Sequence, residues 1–168
     1  HQYKEDARKM LENYIQYLIS SPINIFDTER RFNFDLEHCQ INGTYDRIDV
    51  SEDGEISIID YKTSRKKTEN RDLRSNNQLA IYAMYARQSD ETTEDGRKLG
   101  RLPEAVKLLF LRFDDPEVST SFSSEDLVKF SEKFNNIANE IRLGDFQSKT
   151  GHHCQYCDYR DLICPEYQ

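Results

Sequence analysis

The fold of this chain is decided by residues 43–62, which read GTYDRIDVSEDGEISIIDYK. Apolar and polar residues alternate on both sides of a short turn, as in two antiparallel strands joined by a hairpin. A two-residue turn would pair Glu52 with Glu55. A three-residue turn, with Gly54 in the left-handed conformation, would instead pair Ser51 with Glu55.

The apolar pattern distinguishes the two registers, because a slip of one residue turns every side chain to the other face of the sheet. The three-residue turn puts four aliphatic side chains on one face, namely Ile48, Val50, Ile56 and Ile58. The two-residue turn would replace this patch with a mixed surface that includes Ser57. The sequence therefore predicts the three-residue turn.

This register brings two carboxylates together. Asp46 is predicted to lie directly opposite Asp60, with Cβ atoms about 5 Å apart, and Lys62 points to the same face. Two neighbouring carboxylates repel each other unless a positive charge lies between them. Mg²⁺ or Mn²⁺ with oxygen ligands would meet that need. Such an ion, with Lys62 orienting water, is typical of phosphodiester hydrolysis.

An alternative for the two aspartates remains open from the hairpin alone. Asp46 and Asp60 could be residues at the rim of the sheet that form ordinary ion pairs with Arg47 or Lys62. In that case no metal would be needed.

Patterns outward from the hairpin predict a mixed α/β (α+β) fold. Helical periodicity and capping signals predict helices at residues 4–19, 75–87 and 123–143. The first helix presents its apolar residues at helical spacing: Ala7, Met10, Leu11, Tyr14, Ile15 and Leu18. Strands are predicted at residues 29–36, 41–50, 55–62, 106–113 and 118–122. The expected architecture is a central mixed, mainly antiparallel sheet flanked by helices.

The charge distribution bears on possible ligands. The chain has 168 residues and a net charge of -8, which is unfavourable for extensive phosphate contact. A nuclease, however, concentrates acids at its metal site and needs only a local basic strip. Residues 64–74 supply such a strip, with Arg65, Lys66, Lys67, Arg71 and Arg74. The alternative is a solvated charged loop. With no apolar run long enough to span a membrane, an intracellular, cytoplasmic protein is expected.

The C-terminal segment 152–168 is rich in cysteine. Cys154, Cys157 and Cys164 lie close together, and without a secretory signal this pattern favours metal binding over disulfides. A zinc site could use these thiolates with His152 or His153. Free thiols are the alternative. Cys39, beside a predicted turn, is interpreted as a small strand residue rather than a fourth ligand.

Three motifs resemble the RecB-type branch of the PD-(D/E)XK nuclease superfamily, which includes nuclease domains of repair helicase-nucleases and CRISPR adaptation nucleases. They are GTYD at 43–46, IIDYKT at 58–63 and QLAIY at 78–82. The resemblance implies a restriction-endonuclease-like core with a Cys-rich tail, forming a single domain over residues 1–168.

The resemblance also implies roles for individual residues. Asp46 and Asp60 would be metal ligands, helped by the backbone carbonyl of Tyr61. Lys62 would be the catalytic lysine. The resemblance further assigns Gln78 and Tyr82, one helical turn apart, to shaping the site and the DNA path. Ordinary packing of helix against sheet is the alternative for these two residues.

Two parts of the family pattern are incomplete here. The family places a further metal ligand, commonly His, on a helix well before the first strand. His1 and Glu29 are the candidates in this chain, and a residue outside this sequence is the third alternative. The family's [4Fe-4S] cluster would use Cys154, Cys157 and Cys164 with a distant upstream cysteine. Here the spacing from Cys157 to Cys164 is one residue longer than usual.

The leading hypothesis is a metal-dependent deoxyribonuclease, endo or exo, acting in DNA repair or recombination. It would be the C-terminal part of a larger polypeptide attached to a helicase, acting on single-stranded DNA or duplex ends, with no membrane partner. One alternative is a catalytically incomplete nuclease-fold module that binds DNA or a partner. Another is a zinc-stabilised structural domain.

Overall fold

The computed structural model describes residues 2–21, 23–144 and 146–167. The helices are α1 (Gln2–Ser20), α2 (Asn70–Leu73), α3 (Asn77–Gln88) and α4 (Ser124–Arg142). The strands are β1 (Ile25–Asp35), β2 (Gln40–Val50), β3 (Ile56–Lys62), β4 (Ala105–Phe110) and β5 (Glu117–Thr120). A 3₁₀ turn at His152–Tyr156 lies in the C-terminal segment.

The five strands form one open sheet in the order β1-β2-β3-β4-β5. The β1–β2, β2–β3 and β4–β5 pairs are antiparallel, whereas β3 and β4 are parallel. Parallel neighbours require a crossover connection, which here contains α2 and α3. The expected mixed, mainly antiparallel sheet flanked by helices is confirmed.

The hairpin register is also confirmed. Ile48 lies opposite Ile58, and Val50 lies opposite Ile56. The Ser51 N–H donates to the Glu55 carbonyl at 3.0 Å. Gly54 has φ +80°, the left-handed conformation that glycine adopts without steric cost. The apolar faces of β2 and β3 therefore match as the sequence predicts.

One face of the sheet is covered by α3. Asn76 caps this helix by accepting hydrogen bonds from the backbone N–H groups of Gln78 and Leu79. Ala80 and Ala83 are fully buried, and their small side chains let the helix approach the sheet closely. An aromatic cluster fills the space beside them, formed by Phe32, Tyr45, Tyr82 and Tyr85. The core of the molecule lies in this layer.

The last helix has the ends that its sequence predicts. Ser123 and Asp126 form a capping box at the start of α4. The hydrogen bonds from Ser123 hold the pKa of the Asp126 carboxyl below its usual range. Gly144, with φ +72°, follows the last turn.

The apolar residues of α1 divide between the side that contacts the sheet and the side exposed to solvent. A mixed side contacts the other face of the sheet: Met10, Tyr14 and Leu18 are half-buried there, and Tyr17 donates to Glu117 at 2.7 Å. Three other apolar residues face outward: Leu11 is 60% exposed, Ile15 52% and Ile19 74%. Helical periodicity predicted the helix, and the structure shows which of its residues contact the sheet.

Three local features were not predicted. β1 begins at Ile25, four residues earlier than expected, across a register shift in its pairing with β2. The short helix α2 lies within the basic segment and buries Leu73 completely. Arg97 attaches the long loop after α3 to the sheet by donating to the Val50 carbonyl at 3.2 Å. Of the described helices, none combines the length and apolar content needed to cross a bilayer.

Gly43 provides a test of the aromatic packing. It lies opposite Phe32 in the sheet, and a Cβ at this position would be 2.4 Å from the Phe32 ring. We expect Gly43→Ala to lower the free energy of unfolding by about 1–3 kcal/mol, because the ring must leave its place in the core. Urea unfolding followed by circular dichroism measures this, with the exposed neighbour Asn42→Ala as control. Equal effects of the two substitutions would contradict the packing argument.

Candidate metal and catalytic site

The site forms where β2 and β3 separate. Their paired register ends at Arg47 opposite Ile59. Just beyond this pair, the Tyr61 N–H donates to Oδ2 of Asp46 at 2.7 Å. The same register puts Asp46 opposite Asp60, as predicted. The Asp46 carboxylate thus accepts a hydrogen bond from the Tyr61 backbone N–H, which lies beyond the paired residues. This bond keeps Asp46 at the end of the strand pair.

Asp60 is nearly inaccessible, with 3% exposure, and its oxygens have different partners. Oδ1 accepts a hydrogen bond from Nε2 of Gln78 at 2.9 Å and lies 3.2 Å from the Tyr82 hydroxyl. Oδ2 lies 2.6 Å from Nζ of Lys62. The Lys62 ammonium also donates to Oε1 of Gln78 at 3.1 Å. The four residues predicted for this part of the site therefore form one connected cluster.

The Oδ2 atom of Asp60 is the position that suits a cation. It is buried, and among the described residues its one polar contact is the ion pair with Lys62. Asp46 is half-buried, and its Oδ1 has neither a hydrogen bond nor an ion pair among the described residues. Oδ1 of Asp46 and Oδ2 of Asp60, which contacts only the Lys62 ammonium, are the carboxylate oxygens beside the end of β3 that fit a hard divalent ion.

Asp46 and Asp60 form a pair rather than a complete ligand set. Within the described residues, no three His, Cys, Asp or Glu side chains converge as a group able to hold a metal. The pairing of either acid with Arg47, one alternative from the hairpin, is wrong. Arg47 instead forms a two-pronged ion pair with Asp49, at 2.8 and 2.6 Å. Lys62 does pair with Asp60, so that alternative is present alongside the site geometry.

The Tyr82 hydroxyl acts as a hydrogen-bond donor within this arrangement. Burial and the neighbouring Asp60 charge raise the pKa of its hydroxyl above the ordinary value of 10.0. The hydroxyl accepts from Gln78 at 2.9 Å and lies 3.1 Å from the Thr44 carbonyl. It therefore remains protonated at neutral pH and ties α3 to both β2 and β3. Thr44 was not among the predicted site residues, since its backbone oxygen leaves no side-chain signal.

The two candidates for the upstream ligand have different outcomes. His1 lies outside the described residues. Glu29 is exposed, and the β1–β2 register places it opposite Asp46. Its φ of 51° is unusual for a residue other than glycine and costs about 1–2 kcal/mol. Glu29 as a ligand stays a prediction.

The cysteine segment does not fit a metal centre in this structure. Cys154 is buried and its Sγ accepts from the Gly151 N–H at 3.3 Å, whereas Cys157 is exposed. Cys164 is half-buried. These three thiols, with His152 and His153 nearby, do not converge as a ligand group. Neither the [4Fe-4S] cluster nor the zinc alternative is supported by this arrangement, and Cys39 is a separate half-buried free thiol.

The basic strip follows directly from the site. Lys67 donates to Asp115 at 3.2 Å, and Arg71 is paired with Glu69 at 2.9 Å. Arg65 and Lys66 are exposed and have no ion pair within 4.0 Å among the described residues. The same holds for Arg74. Part of the strip therefore keeps its charge available to solvent, and Arg65 and Lys66 follow Lys62 closely in the sequence.

Removing the Tyr82 hydroxyl should reveal its contribution to stability. We expect Tyr82→Phe to lower the free energy of unfolding by about 1–3 kcal/mol, because it leaves the Thr44 carbonyl and a Gln78 N–H without a partner. The pKa of Tyr82 is higher in the folded than in the unfolded protein, so the hydroxyl makes its full contribution to stability below pH 10.0. This contribution is lost as pH rises through the folded pKa.

Urea unfolding of wild type and Tyr82→Phe at a series of pH values measures this difference. The gap should be constant from neutral pH to about pH 10 and shrink above it. Tyr3→Phe is the control, since Tyr3 is 85% exposed. A gap that widens at alkaline pH would refute the assignment.

Comparison with known proteins adds to this geometry. Residues 1–165 match the family model of the PD-(D/E)XK nuclease superfamily. A subunit of the ATP-dependent helicase/deoxyribonuclease of Streptococcus uberis is 31% identical over 102 residues, which is 58% of this chain. The match covers only 9% of that relative's length. The crystal structure of SSO0001 aligns over 99% of this chain and 78% of that one, at 18% identity. The TM-score of that alignment is 0.47.

The family model covers nearly the whole chain, and its match includes the β2–β3 strand pair with Asp46, Asp60 and Lys62. The observed open mixed sheet flanked by helices agrees with the fold of that family. The chain therefore belongs to the PD-(D/E)XK nuclease superfamily.

Proposed function

We propose that this chain is a deoxyribonuclease domain that hydrolyses DNA phosphodiester bonds with Mg²⁺ or Mn²⁺. The observation that carries the proposal is the cluster of Asp46, Asp60 and Lys62 at the separating ends of β2 and β3. Two carboxylates kept beside a lysine are costly for stability and useful for phosphate chemistry. The name of the streptococcal relative supports DNA as the substrate and a helicase as the associated module. We include in the proposal a role in DNA repair or recombination, which the resemblance of the three motifs implies.

The site residues have different roles in the proposed reaction. Asp46, Asp60 and the Tyr61 carbonyl would hold the metal ion. When bound, the ion supplies the positive charge that polarises a phosphoryl oxygen and makes water a better nucleophile. Gln78 and Tyr82 fix the Asp60 carboxylate through Oδ1, which leaves Oδ2 for the cation.

Lys62 has a separate task in this proposal. Its side chain is 32% exposed, so the ammonium is accessible from the solvent side while it contacts Asp60. There it can orient the attacking water or stabilise the charge that develops on the phosphate. Gln78 aims the ammonium by accepting one of its hydrogens.

Separate substitutions of Asp60 and Lys62 test this division. We expect Asp60→Asn to abolish Mn²⁺ binding in calorimetry and to slow DNA cleavage by more than about 100-fold, since even outer-shell partners of a metal cost 10- to 100-fold. Lys62→Ala should also slow cleavage but bind Mn²⁺ at least as tightly as wild type. The reason is that, in the wild-type chain, the Lys62 ammonium competes with a cation for Oδ2 of Asp60.

The control is Asp53→Asn, which removes an exposed acid from the turn of the same hairpin. It should leave both metal binding and cleavage unchanged. Cleavage that persists in EDTA, or that neither Asp60→Asn nor Lys62→Ala reduces, would refute the proposal. DNA binding without any cleavage by wild type would favour the incomplete, DNA-binding module instead.

The basic strip gives an independent test of DNA as the ligand. We expect the double substitution Arg65→Gln/Lys66→Gln to weaken DNA binding and to reduce the slope of log K against log salt by about 0.9 for each lost phosphate contact. Fluorescence anisotropy in EDTA, over a series of salt concentrations, measures the affinity without cleavage.

Lys98→Gln/Arg101→Gln is the matched control because it changes the net charge equally. The Arg101 guanidinium lies beside Gly54, at the turn end of β3 and away from Lys62. If both double variants lose the same affinity, overall charge rather than the strip is responsible.

A further inference from the structure

The end of the motif strand β3 is held from behind by α1, the helix on the opposite face of the sheet. Tyr61 stands between Asp60 and Lys62, and its side chain points away from theirs because strand residues alternate. Its hydroxyl lies 2.8 Å from the hydroxyl of Tyr14 on α1. The two rings meet edge to face, with centroids 5.3 Å apart.

A buried cation anchors this pair of hydroxyls. Nη1 of Arg47 donates to Tyr14 at 3.3 Å and lies at the long limit of 3.5 Å from Tyr61. The guanidinium is itself 3% exposed and fixed by the two-pronged contact with Asp49. Burial and the hydrogen bond with Tyr14 raise the pKa of Tyr61, so its hydroxyl stays neutral.

The two residues after Tyr61 are connected to α1 as well. The Lys62 carbonyl accepts from the Leu111 N–H at 3.0 Å, and the Leu111 carbonyl accepts from Asn13 of α1 at 3.0 Å. Through Leu111, these two hydrogen bonds connect α1 to the backbone of Lys62.

The third connection uses an ion pair. Arg112 donates to the Thr63 carbonyl at 2.7 Å and to Asp6 of α1 at 2.8 Å. The hydrogen bond from Arg112 keeps the pKa of Asp6 below its usual range. Three successive residues of the strand end are thus connected to one helix through polar contacts.

We propose that Tyr14 is a positioning residue for the nuclease site, acting through the Tyr61 side chain. This inference rests on the proposed function, since it concerns the same site. A rotation of β3 about its axis would move the side chains of Asp60 and Lys62 on the site face. The Tyr14–Tyr61 contact resists that rotation from the α1 face, while the Tyr61 N–H is held by Asp46 on the site side.

The chain offers a matched control for this role. Tyr17 lies one turn further along α1 and also gives the sheet a buried-side hydrogen bond, to Glu117 of β5. Tyr17→Phe therefore removes a hydrogen bond between α1 and β5 and leaves the Tyr14–Tyr61 hydrogen bond to the motif strand in place. A purely structural role of Tyr14 predicts equal effects of Tyr14→Phe and Tyr17→Phe.

Steady-state kinetics with Mn²⁺ and DNA form the first arm of the experiment. We expect Tyr14→Phe to lower kcat about fivefold, the equivalent of one net hydrogen bond, with KM for DNA unchanged. Tyr61→Phe should have the same effect, and the double variant should be no slower than either single one, because both remove one interaction. Tyr17→Phe should keep the wild-type kcat.

Amide hydrogen exchange of the metal-free protein forms the second arm and needs no activity. The Tyr61 amide should exchange about tenfold faster in Tyr14→Phe, because the strand end opens more often. In Tyr17→Phe it should exchange at the wild-type rate. Thermal unfolding of the variants checks that all are folded under the conditions used.

The two arms separate the inference from the proposed function. If wild type cleaves DNA but Tyr14→Phe and Tyr17→Phe behave alike in both arms, the positioning role is wrong and the nuclease function stands. If wild type cleaves nothing, the proposed function fails, and the exchange of the Tyr61 amide still decides whether Tyr14 holds the strand. Additive losses in the Tyr14→Phe/Tyr61→Phe variant would also overturn the inference.

Discussion

Two aspartates that face each other across a strand pair are the constraint on which the rest of this structure depends. Their repulsion is offset locally, because the Tyr61 N–H binds Asp46 while Gln78, Tyr82 and Lys62 surround Asp60. The cost of burying these carboxylates is met by hydrogen bonds rather than by apolar packing. Such an arrangement suits a cation better than it suits a stable core.

The rest of the fold can be understood as support for that strand end from two sides. On the core side, α3 packs its small and aromatic residues against the sheet and delivers Gln78 and Tyr82 to Asp60. On the other side, α1 uses polar residues, including Tyr14 and Asn13, to reach β3 and the segment after β4. Hydrogen bonds impose distances and directions more strictly than apolar contacts do. The site is therefore located between one packed layer and one polar layer.

The overall charge of the chain differs from the charge of the segment that follows β3. The chain carries a net charge of -8, yet among the described residues Arg65, Lys66 and Arg74, in the segment that follows β3, have no ion pair within 4.0 Å. Their neighbours Lys67 and Arg71 are held by nearby acids. Local free charge, rather than the total, is what a phosphate backbone would meet. The overall acidity is thus compatible with a DNA ligand.

The sequence alone was sufficient for features that depend on near neighbours. The hairpin register follows from a period of two around Gly54, and the start of α4 follows from Ser123 and Asp126, because these interactions lie within a few residues. The same register predicted that Asp46, Asp60 and Lys62 would lie at one end of the strand pair, whereas Gln78 and Tyr82 were added by the family resemblance.

Only the tertiary structure decided which side of α1 meets the sheet, that β3 pairs in parallel with β4, and how Gln78 reaches both Lys62 and Asp60. Tyr14 carries no motif, and its contact with Tyr61 joins residues 47 positions apart. Such contacts form only when distant segments are brought together, and the periodicity of one segment does not specify its partner.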